Sequence, residues 1–248
     1  MTRSEDEAPR GRRSTEEVYD RLRTLILENQ IAPGVRLNID AIARDFGVSQ
    51  TPIREAIRQL EGDQLVVKSP GKGYRTTSLL DLGQLRDLFE FRLLVEVWAA
   101  RTAAVNRLSN PARMVGEEIT DFESSMVGSG DIRHELVLHD VRFHGHILAA
   151  LGNEVIRKAY EQTHSHLHTF RLYPADTDGR TTVSEHRRIR DAIERCDPGG
   201  AEEAMRDHLT AAFDRFAQAF EEHGPQPRSA AVPRMYPVDA TPAAPQGW

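Results

Sequence analysis

The chain has 248 residues, of which 28% are charged, with a formal net charge of −6 and one cysteine. That length accommodates a small domain of about 70 residues beside a larger one of about 150. The single cysteine, Cys196, excludes an intrachain disulfide framework. No apolar run reaches membrane-spanning length and no hydrophobic signal segment is present, so a soluble cytoplasmic protein is expected. A negative net charge by itself argues against a nucleic-acid binder, but the charge is unevenly placed: +1 over residues 1–80, −8 over 81–224 and +1 over 225–248. Without the acidic start "SEDE" the N-terminal part is basic, and Arg10, Arg12 and Arg13 suit a phosphate-contacting arm.

Residues 1–12 are polar and charged and are expected to be a disordered arm. From Ser14 to Asn29 the apolar positions Val18, Leu22, Leu25 and Ile26 predict a helix. "RLNIDAIARDFG" predicts a short second helix, begun by Asn38 or Asp40 and ended by Gly47. In "VSQTPIREAIRQL", Ile53, Ala56, Ile57 and Leu60 form one apolar stripe. Ser49 suits the N-cap, and Pro52 falls in the first turn, where its missing N–H removes no helical bond. Thr51, Arg54 and Arg58 line the other side, where hydroxyl and guanidinium groups near a helix N-terminus suit phosphates and base edges. On an isolated helix such a stripe would more simply be a solvated face. "LVVKSPGKGYRTT" then predicts two short strands around a basic turn. Three helices and a wing make residues 13–78 a winged helix-turn-helix, with Ser49, Gln50, Thr51, Arg54, Arg58, Lys72 and Gly73 as candidate DNA contacts. The stretch "VSQTPIREAIRQLEGDQLV" resembles the signature of the GntR superfamily of bacterial regulators, in which a Ser-x-x-Pro-x-Arg-Glu-Ala core opens the recognition helix. The resemblance covers residues 14–77 and implies a homodimer on a palindromic operator, on the cytoplasmic nucleoid of a bacterium.

Residues 79–223 predict helices near 82–107, 110–127, 131–151, 153–173, 180–196 and 199–222, with breaks at "LSNP", "GSGD", "LGN", "YPADTDG" and "CDPGG". The expected fold is therefore mainly α, a winged helix-turn-helix followed by an antiparallel helical bundle. All ten histidines lie from His134 onward. On 131–151, Asp140 and His144 fall within the apolar face of Leu136, Phe143, Ile147 and Leu151, whereas His139 and His146 are expected on the polar side. His186 shares a face with Val183, Ile189 and Ile193, and His208 lies among Ala201, Ala204 and Ala212. A carboxylate on a buried face needs cationic compensation, which a divalent ion among these four groups would supply, as would a plain Asp140–His144 ion pair.

"DVRFHGHILAALGN", "EHRRIRDAIERCD" and "AMRDHL" resemble the FadR-type subfamily with FCD ligand-binding domains. That resemblance implies metal ligation by Asp140, His144, His186 and His208. Three imidazoles and a carboxylate suit Zn²⁺ or Ni²⁺ and permit Mn²⁺ or Fe²⁺. Arg92, on an apolar face with Leu85, Leu88, Val95 and Ala99, either clamps an anionic ligand or pairs with Glu96, and the resemblance favours the ligand. With Arg190 and Asn153 it makes up the candidate contacts for a small organic acid effector. His164, His166 and His168 alternate and cannot share one helical face; His164 and His168 could line the pocket together, but half-exposed helix positions are expected for them. The reading is a ligand-controlled regulator, most simply a repressor; the alternatives are a metal-dependent hydrolase fused to a DNA-binding module and a regulator that senses the metal itself. No phosphate loop, nucleophile motif or His-Glu-x-x-His supports an enzyme. Residues 224–248, rich in Pro and Ala, are expected to be disordered.

Overall fold

The computed structural model describes residues 15–105, 107–126, 132–172 and 179–222. The arginine-rich arm and the two terminal segments expected to be disordered lie outside the described residues, as do most of the "GSGD" and "YPADTDG" breaks.

The N-terminal unit is α1 (Thr15–Leu27), α2 (Ile39–Phe46), α3 (Gln50–Gly62), β1 (Val66–Ser69) and β2 (Gly73–Thr76). Asn38 caps α2 by accepting from the Asp40 and Ala41 N–H groups, and Gly47 ends it at φ +67°, a left-handed position that favours glycine. The turn into α3 is thereby fixed. Val18, Leu22, Ile26, Phe46, Ile53, Ala56, Ile57, Leu60 and Leu65 interlock as its core. The strands pair antiparallel in the register Val66↔Thr76 to Ser69↔Gly73. Gly71 and Gly73 both take positive φ, which lets the wing turn back within three residues.

Among the described residues seven helices follow: α4 (Leu82–Val105), α5 (Ala112–Ser125), α6 (Arg133–Ala149), α7 (Glu154–Glu161), α8 (Ser165–Phe170), α9 (Arg180–Glu194) and α10 (Pro198–Glu222). Buried Ala99, Ala100, Ala103 and Ala201 have small side chains, which allow α4 and α10, packed along each other, to approach closely. Phe89 on α4 meets Phe213 on α10 edge-on at 5.6 Å. The one helix expected over 153–173 is two. His164 takes φ +45° and redirects the chain between α7 and α8. With that bend, His166 faces inward. No helix among the described residues is long and apolar enough to cross a membrane.

Candidate metal centre and DNA-reading surface

Three helices bring three buried imidazoles to one point inside the bundle. One ring nitrogen each from His144 (α6), His186 (α9) and His208 (α10) lies within 4.8 Å of the others. Asp140, one turn before His144, stands at the edge of this group, with Oδ1 3.7 Å from His186 Nε2. Sequence periodicity placed these four residues inward, and the structure brings them together.

Each ring is held from behind. Glu185 accepts from His208 Nδ1 at 2.7 Å and is itself gripped by both terminal nitrogens of Arg215, at 2.7 and 2.9 Å. His186 Nδ1 meets His139 Nε2 at 2.9 Å, and His139 Nδ1 meets Glu118 Oε1 at 3.1 Å. Arg142 donates to the other Glu118 oxygen at 2.7 Å. An ionised carboxylate can only accept, so His208 and His139 carry their protons on Nδ1. His139 Nε2 then accepts from His186 Nδ1–H by the same logic. With both rings in the neutral form that a metal ligand requires, both Nε2 atoms at the centre present lone pairs. They and Asp140 Oδ1 are buried without a hydrogen-bond partner. Three acceptors facing one another with no donor between them repel, unless a cation joins them. The donor set fits a divalent ion, and the outer carboxylates fix the rings as metal-binding imidazoles require.

Around the centre the electrostatics are strongly coupled. Burial lowers the His186 ring well below the ordinary range and brings His144 down to about 4, so both are neutral at physiological pH. Burial alone would raise the Asp140 carboxyl, but its hydrogen bond to His166 and the surrounding imidazoles hold it well below the usual range. Glu96 is held low in the same way, by the Arg92 charge and by His144, against its own burial. Arg92 donates from Nε to Glu96 Oε1 at 2.6 Å, while its Nη2 lies 3.4 Å from His144 Nε2. Of the two readings of Arg92, its pairing with Glu96 is present, and the pair sits against the cluster. His144 Nδ1 closely approaches Glu96 Oε2, and this contact helps hold the Glu96 carboxyl low. Tyr160 donates to Glu96 at 2.6 Å and meets His166 Nε2 at 3.0 Å, and His166 Nδ1 lies 3.3 Å from Asp140 Oδ2.

Several expectations are corrected. His139 is fully buried, not solvated. It lies only about 40° around the helix from Phe143, and α5 closes over that edge with Phe122 stacked on the ring. Asn153 is an exposed N-cap whose side chain accepts from the Val155 and Ile156 N–H groups, so a local structural role accounts for it. Arg190 pairs with Asp191 and Glu194 and lines a surface groove with Gly116 and Thr120 of α5, away from the imidazoles. Of the alternating trio, His164 and His168 are half-buried as expected, but His166 is buried in the centre. Glu118 and Glu185 escaped notice as ring supports. Glu118 shares a stripe with Val115, Ile119 and Phe122, the same inward-carboxylate signal that singled out Asp140.

On the first domain, Ser49, Gln50, Thr51, Arg54, Arg58, Lys72 and Gly73 are all exposed. Gln50 bridges the helices, donating to Asp40 at 2.5 Å and accepting from Arg54 Nη2 at 3.1 Å. Ser49 occupies the N-cap position of α3, but its hydroxyl makes no cap bond.

Fold and site together define a class: a DNA-reading module joined to a helical effector domain, the plan of a ligand-controlled regulator. The model of the bacterial regulatory proteins of the gntR family matches residues 14–75, and the FCD domain model matches residues 87–211. The chain belongs to the GntR family and carries an FCD domain. It is similar to the uncharacterised HTH-type transcriptional regulator YdhC of Bacillus subtilis (strain 168), 26% identical over 198 residues, 79% of this chain and 86% of that protein. It is also similar to the HTH-type transcriptional repressor GlaR of Escherichia coli (strain K12), 25% identical over 218 residues, 81% of this chain and 94% of that protein. A solved GntR structure from Rhodococcus sp. RHA1 has the same fold, with a TM-score of 0.63 at 20% identity, covering 83% of this chain and 98% of that one. The chain is a DNA-binding transcriptional regulator and not an enzyme.

Proposed function

We propose that Asp140, His144, His186 and His208 hold one divalent ion, and that the ion and Arg92 together receive a small carboxylate effector which alters operator binding. The carrying observation is the trio of buried acceptors, His186 Nε2, His208 Nε2 and Asp140 Oδ1, with no donor among them. Charge supports the second half. Arg92 balances Glu96, Arg142 balances Glu118 and Arg215 balances Glu185, which among the described residues of this shell leaves Asp140 without a guanidinium partner. A divalent ion turns that local charge from −1 to +1, which favours a monoanion. When bound, the ion supplies Lewis acidity and open coordination positions to an oxygen ligand. The donor set favours Zn²⁺ or Ni²⁺ and admits Mn²⁺ or Fe²⁺.

Arg54, with Thr51, Gln50 and the hydroxyl of Ser49, would enter the major groove, while Arg58, Lys72 and Gly73 would meet the backbone. A second copy of the chain would provide the second half-site of a palindrome. GlaR is a transcriptional repressor, and by that likeness effector binding would relieve repression here. Operator binding is tested by gel shift on a palindrome selected from random DNA, with chelated protein, Zn²⁺-loaded protein and a panel of small hydroxy acids. The proposal predicts that an acid shifts the affinity of the loaded form alone. An acid that acts equally on the chelated form would contradict it.

A further inference from the structure

We propose that α8 is the element that couples the metal centre to the DNA-reading domain, with Arg171 as the positioning residue that clasps the two. The stimulus rests on the metal reading above; the mechanical link rests on contacts that do not depend on it.

α8 has two loaded faces. On one, His166 reaches Asp140 Oδ2 and the Tyr160 hydroxyl. On the other, Leu167 is buried in the core of the DNA-reading domain, and Phe170 packs against both that core and the bundle core. Arg171 follows immediately. It is 1% exposed, yet among the described residues its guanidinium meets no carboxylate. Nη1 donates to Thr77 Oγ1 and Nη2 to the Thr77 carbonyl, both at 2.7 Å, while Nε is buried without a partner. The Arg171 carbonyl in turn accepts from Asn29 at the end of α1, at 3.0 Å. A buried guanidinium held by neutral partners alone is costly and is retained only where the surroundings fix it. Thr77 stands where the wing leaves for α4, and its N–H is bonded to Leu65 O. One side chain therefore ties α8 to the wing's exit, and one backbone carbonyl ties it to α1.

His166 and Arg171 are only five positions apart, about 7.5 Å along a helix. Asp140 offers Oδ2 to His166 and Oδ1 to the cluster, so an ion taking Oδ1 competes for the charge that holds His166. A six-residue helix has few contacts to absorb that change internally and would tilt as a unit. Its far end is the clasp. A contiguous packed chain from ligand site to DNA-reading domain is the physical requirement for such coupling.

Amide hydrogen exchange of the full chain tests this at residues 27–31 and 76–81, without metal and with added Zn²⁺. His166→Ala in metal-free protein is expected to raise exchange at 76–81 at least tenfold. In an Arg171→Met background the same change should add less than twofold, whereas a merely structural arginine would leave the two effects additive. Should Arg171→Met fail to fold, Thr77→Val removes one acceptor and replaces it in the cycle. Zn²⁺ should change exchange at 76–81 in the native chain and not in Arg171→Met, although both bind it equally. Unchanged exchange at 76–81 in His166→Ala, or additive effects, overturns the coupling whether or not metal binds. Coupling between His166 and Arg171 in a chain that binds no Zn²⁺ would uphold α8 and sink the metal reading alone.

Discussion

The DNA-reading domain closes on Val18, Leu22, Ile26, Ile53, Ile57 and Leu60, an apolar core to which the described residues of 15–77 add no buried charged side chain. The bundle encloses Arg92, Glu96, Glu118, His139, His144, His186 and His208 at its centre. The first arrangement is stabilised by removing apolar surface from water, the second tolerates its buried charges because each carboxylate faces a guanidinium or an imidazole. A core of the first kind specifies one shape. A core of the second kind also holds a binding site, and its stability depends on pH and on what occupies it.

The contrast can be broken first at its strongest point. Leu60→Ala should cost about 2–5 kcal/mol and loosen the DNA-reading domain in denaturant melts, with metal content unchanged. Loss of metal in that variant would show that damage to the first core reaches the metal ligands themselves. Acid should act on the other half. Burial lowers His144 and His168 from 6.5 to about 4. Between these values the unfolded chain binds more protons than the folded one, so stability is complete above pH 6.5 and declines as pH falls toward 4. The loss is up to about 3 kcal/mol per ring in chelated protein. No histidine precedes His134, so Trp98 fluorescence from α4 should report this transition before any signal from the wing. A flat profile over that window would count against buried neutral rings.

The difference between the halves also sets what was legible in the sequence. In residues 15–77 each element announces itself locally: Asn38 and Gly47 bound α2, Pro52 marks the start of α3, and two glycines make the wing. In the bundle, periodicity found Asp140, His144, His186 and His208, because a polar residue on an apolar stripe is a local anomaly. It missed His139 and His166, whose burial depends on α5 closing over one edge and on the left-handed turn at His164. Neither is visible in a single helix. Arg190 and Asn153 failed for a simpler reason, since a neighbouring carboxylate and a helix N-terminus satisfy them locally.

Smaller effects sharpen the picture. Glu185→Gln should lower metal affinity about 10- to 100-fold, because an amide no longer forces the His208 proton onto Nδ1. Unaltered affinity in a Zn²⁺ titration would remove the support role from Glu185. Arg54→Ala should cost about 1–3 kcal/mol per half-site on the selected palindrome and little on scrambled DNA. Arg58→Ala and Lys72→Ala should weaken both and flatten the salt dependence. Equal losses for all three variants on both DNAs would contradict the assignment. His146→Ala, on the half-exposed side of α6, should change stability by no more than about 0.5 kcal/mol. A larger shift in its thermal melt would show that this side, too, is part of the core.

The most direct test of the buried centre is an anomalous-scattering map from crystals of the native protein, collected on both sides of the Zn and Ni absorption edges. One peak per chain is expected, between the Nε2 atoms of His186 and His208, with Asp140 and His144 around it. A map without a peak there, with Asp140 bonded to a protonated imidazole instead, would contradict it.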